Sequence, residues 1–106
     1  MKVSDYTISV DSAKIDNDSV VVTFTVDNTS GAAQVNLPVT AFDATGPDSS
    51  QSMDEDILCS DLAVSVPQGK KVTGNICWKA NGATATKGVT VHYDAGAAGK
   101  INWVLP

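Results

Sequence analysis

The stretch that most constrains the fold of this chain is residues 57–78, which contains both cysteines and one of the two tryptophans. Within it, apolar residues at 62–66 and 72–78 flank a turn that contains Pro67 and Gly69. Two apolar runs joined by a short turn of this composition are typical of a β-hairpin. We therefore predict a hairpin tied by a Cys59–Cys77 disulfide, with the remaining strands packed on it.

Alternation within this stretch predicts which side of the sheet the disulfide occupies. Val72, Ile76 and Trp78 share one parity, and Cys77 has the other. Successive strand residues point to opposite faces, so a core-facing Trp78 directs Cys77 outward. We expect the bridge to clip the outer face or rim of the sheet, unlike the bridge that crosses the core of antibody domains.

Composition and cysteine content favour an extracellular or cell-surface location and exclude several partners. The 106 residues carry a net charge of −5 and no arginine, so the chain repels nucleic acid and anionic lipid. No apolar window approaches the roughly 18 residues of a membrane span. Residues 1–4 lack the apolar core of a signal peptide, so an exported protein would have lost its signal. Two cysteines in a small acidic chain indicate an oxidising compartment.

The rest of the sequence predicts an all-β fold. Alternation is clearest over residues 20–27, where Val20, Val22, Phe24 and Val26 are expected to face the core. We predict turns at residues 16–19 and 43–48, a strand at 35–41 with an edge or bulge at Pro38, and an exposed mobile loop at 48–56. About seven strands, with turns every 8–12 residues, predict a single domain over residues 1–106, an immunoglobulin-like two-sheet antiparallel sandwich. A β-barrel is the alternative.

Candidate chemistry is sparse, and we predict no catalytic residue, cofactor or metal site. His92, the only histidine, shares a polar strand face with Thr90 and Asp94, and the sequence lacks the strand-turn-helix elbow of a serine nucleophile. Asp54, Glu55 and Asp56 form an acidic loop that is a candidate partner-binding surface or a solubilising segment. Calcium binding by this loop stays open, because further carboxylates are available but the ordered spacing of a calcium loop is absent; these carboxylates are Asp43, Asp48 and Asp61.

Four short segments carry a resemblance to a known family: residues 66–78, the last strand at 101–106, the Asn-x-Ser turn at 26–30, and the Asp-then-Gly turn at 42–46. Together they resemble the mycobacterial immunoprotective extracellular antigen family and the related telokin-like domains of unknown function on actinobacterial and other Gram-positive lipoproteins. The resemblance implies a secreted or lipid-anchored immunoglobulin-like sandwich without enzymatic activity. This chain shows neither an export signal nor a lipid-attachment cysteine. The question whether the protein is secreted or lipid-anchored therefore stays open.

These observations predict a non-enzymatic module that binds a protein or a cell-envelope component through loops or a sheet edge. The alternative is an inhibitor-like or carrier protein that acts on a secreted enzyme. The sequence does not specify the partner or the oligomeric state.

Overall fold

The structure, a computed structural model, describes residues 2–3, 6–31, 33–37, 41–46, 53–55, 59–62, 65–80, 86–94 and 100–105. This part of the chain is almost entirely β-structure, arranged in three antiparallel sheets. No described segment forms a helix that is long and apolar enough to cross a membrane. The strands are β1 Lys2–Val3, β2 Tyr6–Asp16, β3 Ser19–Asp27, β4 Val35–Asn36, β5 Phe42–Thr45, β6 Ser65–Val66, β7 Lys71–Lys79, β8 Thr90–Asp94 and β9 Lys100–Val104.

The first sheet has the strand order β1-β2-β3-β7, and its best-defined local feature is the β2–β3 hairpin. The two turn residues, Asn17 and Asp18, have φ angles of 49° and 61°. Positive φ at both central positions is the signature of a type I′ turn, whose twist matches that of the flanking strands. Asn and Asp tolerate this conformation better than most residues, which confirms the turn predicted at residues 16–19.

A β-bulge in β2 changes which of its residues face the core. The register against β3 shifts between Val10 and Ser12, so Asp11 is the extra residue. Before the bulge the even-numbered Ile8 is buried, and after it the odd-numbered Ala13 and Ile15 pack against the core. An inserted residue reverses the parity of a strand, so simple alternation does not extend across residues 6–16.

The central strand β3 matches its prediction. Val20, Val22, Phe24 and Val26 are fully buried, and all nine of its residues pair with β7. Val21, on the opposite face, is also buried, and its cross-strand partner is Cys77. At Val21 and Cys77, therefore, the outer face of this sheet is shielded from solvent, just as its core face is.

The second large sheet has the order β5-β8-β9 and faces the first across a shared apolar core. Phe24 of β3 lies 5.3 Å from Phe42 of β5 and 5.8 Å from Trp103 of β9, measured between ring centroids. Both contacts are edge-to-face, the arrangement that aromatic pairs prefer. The all-β sandwich prediction is confirmed. Both tryptophans belong to this core, with Trp78 buried and Trp103 partly buried against it.

The connectivity follows the immunoglobulin pattern. In that fold the first, second, fifth and fourth strands form one sheet, and the third, sixth and seventh form the other. Here β2, β3 and β7 lie on one side and β5, β8 and β9 on the other. Residues 53–62, in their described parts, lie along the free edge of β7, which is the place of the fourth strand.

The predicted hairpin within residues 57–78 is wrong in its strand partner. The turn is present, with Gly69 at φ 77° and a bond from Lys70 N–H to the Pro67 carbonyl. However, β6 pairs with β4 in a separate two-stranded sheet, whereas β7 pairs with β3. The turn therefore carries the chain from one sheet to another, and an apolar run at the right spacing does not show which strand it will join.

The turn predicted at residues 43–48 is wrong over residues 43–45, and residues 47–48 lie outside the described part of the chain. Phe42–Thr45 forms β5, paired with β8, so the turn cannot begin at Asp43. The strand predicted at 35–41 is limited to β4 in the described residues, and Pro38 lies outside them.

Candidate functional site

The outer face of the β5-β8-β9 sheet carries polar side chains in cross-strand rows. The register places Asp43 opposite His92 and His92 opposite Asn102. Neighbouring rows join Thr45 to Thr90, and Asp94 to Lys100. Alternate residues of these strands point into the sandwich and are buried, namely Phe42, Ala44, Val91, Tyr93 and Ile101.

His92 is at the centre of this face, and its ring is held by hydrogen bonds on both sides. Its Nδ1 lies 2.6 Å from Asn102 Oδ1, and its Nε2 lies 3.3 Å from Thr45 Oγ1. An amide oxygen only accepts hydrogen bonds, so Nδ1 carries the proton and donates it to Asn102. In the neutral ring, Nε2 then accepts from the Thr45 hydroxyl. One side chain from each strand is thus fixed relative to the others.

A groove of about 300 Å³ runs over this face and draws its lining from all three strands. Apart from Tyr93, whose hydroxyl bonds to Tyr6, the polar residues of this lining carry two carboxylates, one ammonium group, an imidazole, an amide and a hydroxyl. The lining residues are Ala41, Asp43, Thr45, His92, Tyr93, Asp94, Lys100 and Asn102. We refer to this feature as the His92 groove.

Tyr93 has its ring in the core and its hydroxyl between the sheets. The phenol oxygen lies 3.0 Å from that of Tyr6 on β2, and the ring packs on Phe42 at 4.6 Å between centroids. Burial raises the pKa of the Tyr93 phenol far above its ordinary value, and the hydrogen bond with Tyr6 raises it further. Tyr93 therefore stays neutral beneath the groove.

The acidic segment predicted as a mobile loop is instead attached to both sheets where the structure describes it. Met53 N–H bonds to the Ala44 carbonyl of β5, and Lys79 N–H of β7 bonds to the Asp54 carbonyl. Glu55 forms an isolated bridge with Trp78. Asp54 is exposed and Glu55 is half-buried, whereas Asp56 lies outside the described residues.

The predicted disulfide is present and lies on the outer face of the first sheet. Cys59 and Cys77 are bonded, with their Cα atoms 5.8 Å apart. Cys77 is fully buried despite its outward parity, because the segment at residues 59–62 covers it. Alternation along the strand predicted that Cys77 points outward, but it did not predict that Cys77 is buried.

Residues 59–62 bind the edge of β7 through side chains as well as backbone. Asn75 N–H donates to Asp61 Oδ1 at 2.6 Å, and Cys77 N–H donates to Ser60 Oγ at 3.0 Å. In return the Asn75 carbonyl accepts from the N–H groups of Asp61 and Leu62. These bonds occupy edge groups that would otherwise be available to another chain.

No metal centre is apparent in the described residues. They contain no group of three or more His, Cys, Asp or Glu side chains that could hold a metal ion. Asp43 lies on the outer face of the second sheet, Asp54 on the edge of the first, and Asp61 is bonded to Asn75. Asp48 and Asp56 lie outside the described residues.

Asn28 is a buried residue whose role the sequence did not indicate beyond a turn. Its Nδ2 group donates to the carbonyls of Ala33, Val66 and Pro67, and its backbone N–H donates to the Lys70 carbonyl at 2.9 Å. Its side chain is fully buried, and its Oδ1 has no hydrogen-bond partner among the described residues. Asn28 joins the end of β3 to the turn between β6 and β7, so its role is structural.

Comparisons with protein-family models, with curated proteins and with solved structures found no match to this chain.

Proposed function

We propose that this protein is a non-enzymatic recognition module that is secreted or displayed at the cell surface and binds a protein or a cell-envelope component. The observation that carries this proposal is the His92 groove, to which all three strands of one sheet contribute side chains. These side chains stand on paired strands and are fixed by hydrogen bonds between strands. A surface ordered in advance loses less conformational entropy on binding, which favours recognition.

The extracytoplasmic placement is supported by the disulfide and by the motif resemblance. A bridge between Cys59 and Cys77 persists in oxidising compartments and is reduced in most cytosols. The segments at residues 66–78 and 101–106 resemble those of exported immunoglobulin-like domains. Both observations favour a protein that works outside the cytoplasm.

A binding role is favoured over catalysis by the geometry around His92. Thr45, His92 and Asn102 are hydrogen-bonded in the order of a nucleophile, a base and an orienting group. Acyl transfer also needs N–H donors that converge on the developing oxyanion. On a sheet face the side chains project outward while backbone N–H groups lie in the sheet plane and bond neighbouring strands. The groove therefore suits a bound ligand better than a reacting one.

A capture experiment with the oxidised full chain tests this proposal. The chain is crosslinked to culture fluid and envelope fractions of its source organism, and bound components are identified by mass. The test variant, His92→Ala/Asn102→Ala, alters the groove. A second variant, Asp54→Lys/Glu55→Lys, reverses the charge of the acidic segment. The control is Lys14→Ala, at an exposed side chain of β2. Circular dichroism verifies the fold of each bait.

We expect one stoichiometric partner that the control retains and the groove variant loses. If only the acidic-segment variant loses the partner, the recognition surface lies at residues 54–55 and not in the groove. A captured secreted enzyme that is inhibited by the chain would favour the inhibitor alternative. Absence of any partner for well-folded bait, or hydrolysis of activated esters that disappears in His92→Ala, would overturn the proposal.

A further inference from the structure

Opposite charges are cross-strand neighbours at one end of the His92 groove, whereas a carboxylate stands apart at the other end among the described residues. Asp94 of β8 and Lys100 of β9 are direct cross-strand partners, so opposite charges lie side by side there. Asp43 of β5 is exposed, and within the described part of the chain its carboxylate has no hydrogen-bond or ion-pair partner. The groove thus presents a net negative charge beside β5.

A hydroxyl oxygen that can accept a hydrogen bond lies on the same face as this charge. Thr45 lies two residues from Asp43 on the same face of β5, and its hydroxyl proton is directed to His92 Nε2. The Thr45 oxygen keeps lone pairs that can accept further bonds. The direct cross-strand neighbour of Asp43 is His92, and Lys100 is separated from β5 by β8, so no described lysine lies next to Asp43 within the sheet.

We propose that the His92 groove binds an arginine side chain of a protein partner, with the Asp43 carboxylate as its anchor. This inference rests on the proposed function of the groove as a recognition surface. A guanidinium group is planar, always charged, and carries five donors that pair with a carboxylate through two parallel hydrogen bonds. Donors not used by Asp43 remain for the oxygen of Thr45.

Other occupants satisfy this surface less well. A lysine ammonium is compact and strongly hydrated, and it lacks the flat fork that matches a carboxylate. A neutral glycan leaves the charge of Asp43 unpaired. A second copy of this chain cannot supply the group, because the sequence contains no arginine. The net charge of −5 also attracts a basic partner over longer distances.

The test uses the oxidised full chain, labelled with nitrogen-15, and two small probes. The first probe is N-acetyl-L-arginine amide, and the second is its neutral analogue N-acetyl-L-citrulline amide. We expect the arginine probe to cause saturable amide shifts in Phe42–Thr45, Thr90–Asp94 and Lys100–Val104, and the citrulline probe to cause none at equal concentration.

Two matched variants show whether Asp43 is the anchor. Asp43→Asn keeps the size of an exposed side chain and removes its charge, and we expect at least about tenfold weaker arginine binding, as for loss of charge-assisted hydrogen bonds. Asp54→Asn removes an exposed carboxylate on the neighbouring segment, and we expect no change. Equal weakening by both variants, or equal binding of citrulline, would show general attraction to an acidic surface and overturn the inference.

The captured partner separates this inference from the proposed function. If capture requires Asn102 and His92 but persists in Asp43→Asn, the recognition function stands and the arginine inference fails. If Asp43→Asn abolishes capture, and a single arginine substitution in the partner does the same, both are supported. If no partner is captured and the arginine probe does not bind, both fail.

Discussion

The phenol oxygens of Tyr6 and Tyr93 lie 3.0 Å apart, so a hydrogen bond joins β2 of one sheet to β8 of the other. This polar contact adjoins the apolar core that the two sheets share, and Tyr93 is only 3% exposed. Buried phenols usually find a partner, and here each tyrosine supplies the other's. The pair therefore connects the packing of the sandwich to its ionisation behaviour.

Stability is expected to fall at alkaline pH through Tyr93. Burial, and then the bond with Tyr6, raises the pKa of Tyr93 in the folded state above its unfolded value of about 10. Below about pH 10 the phenol is neutral in both states and its full contribution is present. As the pH rises further, the unfolded chain ionises first, so the free energy of unfolding decreases. Urea titrations between pH 8 and pH 11 measure this, and Tyr93→Phe should flatten the curve; an unchanged curve in that variant would contradict the prediction.

Removing one hydroxyl of the pair isolates the bond between the sheets. Tyr6→Phe keeps the ring and deletes the partner of Tyr93, and we expect a loss of about 1 kcal/mol in the free energy of unfolding. The variant should also lower the pKa of Tyr93, which a spectrophotometric titration of the phenol detects. Loss of stability without any change in that titration would show that the two hydroxyls are not coupled.

The part of the fold that the sequence predicts is the part set by local alternation. The buried face of β3 and the outward direction of Cys77 follow from the period of two, and His92 was correctly placed on a polar face. The strand partners were not predictable in this way. Asn102 and Thr45 reach His92 from strands distant in sequence, and their register depends on how the sheets assemble. Asp43 was assigned to a turn because the Gly and Pro that follow it resemble one, yet β8 pairs with it.

Breaking the disulfide is expected to loosen one edge of the sandwich and leave the core intact. Cys59 and Cys77 are 18 residues apart, and closing a loop of that length contributes about 3 kcal/mol in the chain-entropy model. Cys59→Ser/Cys77→Ala should lower the unfolding free energy by about that amount. Hydrogen exchange should accelerate most at the amides of Asn75 and Cys77, which bond to residues 60–61. Uniform acceleration across β3 would contradict a local effect.

Gly74 is expected to be required for the close approach of residues 61–62. A Cβ at this position would lie 2.7 Å from Leu62 Cα and 3.1 Å from Asp61 Oδ1. Gly74→Ala must therefore displace backbone, at a cost of about 1–3 kcal/mol, comparable to overpacking a core. Lys79→Ala, at an exposed side chain on the same strand, serves as the control and should change stability by less than about 0.5 kcal/mol. Chemical denaturation of both variants makes the comparison, and equal effects would argue against the steric explanation.

Asn28 is expected to tolerate no charge. Its Nδ2 group donates to the carbonyls of Val66 and Pro67, so Asn28→Asp sets a carboxylate against oxygen atoms that cannot donate. We expect a loss of about 3 kcal/mol or more at neutral pH. Because burial raises the pKa of the new carboxyl in the folded state, the deficit should shrink as the pH falls and the group protonates. Melting curves at pH 4 and pH 7, compared with those of the parent chain, measure this difference; a deficit independent of pH would show that lost shape rather than charge is responsible.

Two successive residues, Met53 and Asp54, bond to opposite sheets, one to Ala44 of β5 and the other to Lys79 of β7. They fix the separation of the sheets along that side of the molecule, next to the disulfide. Elsewhere among the described residues, a hydrogen bond between the side chains of Tyr6 and Tyr93 links β2 of the first sheet to β8 of the second. The two sheets are consequently coupled in two different ways, through the backbone at Met53 and Asp54 and through side-chain hydroxyls at Tyr6 and Tyr93.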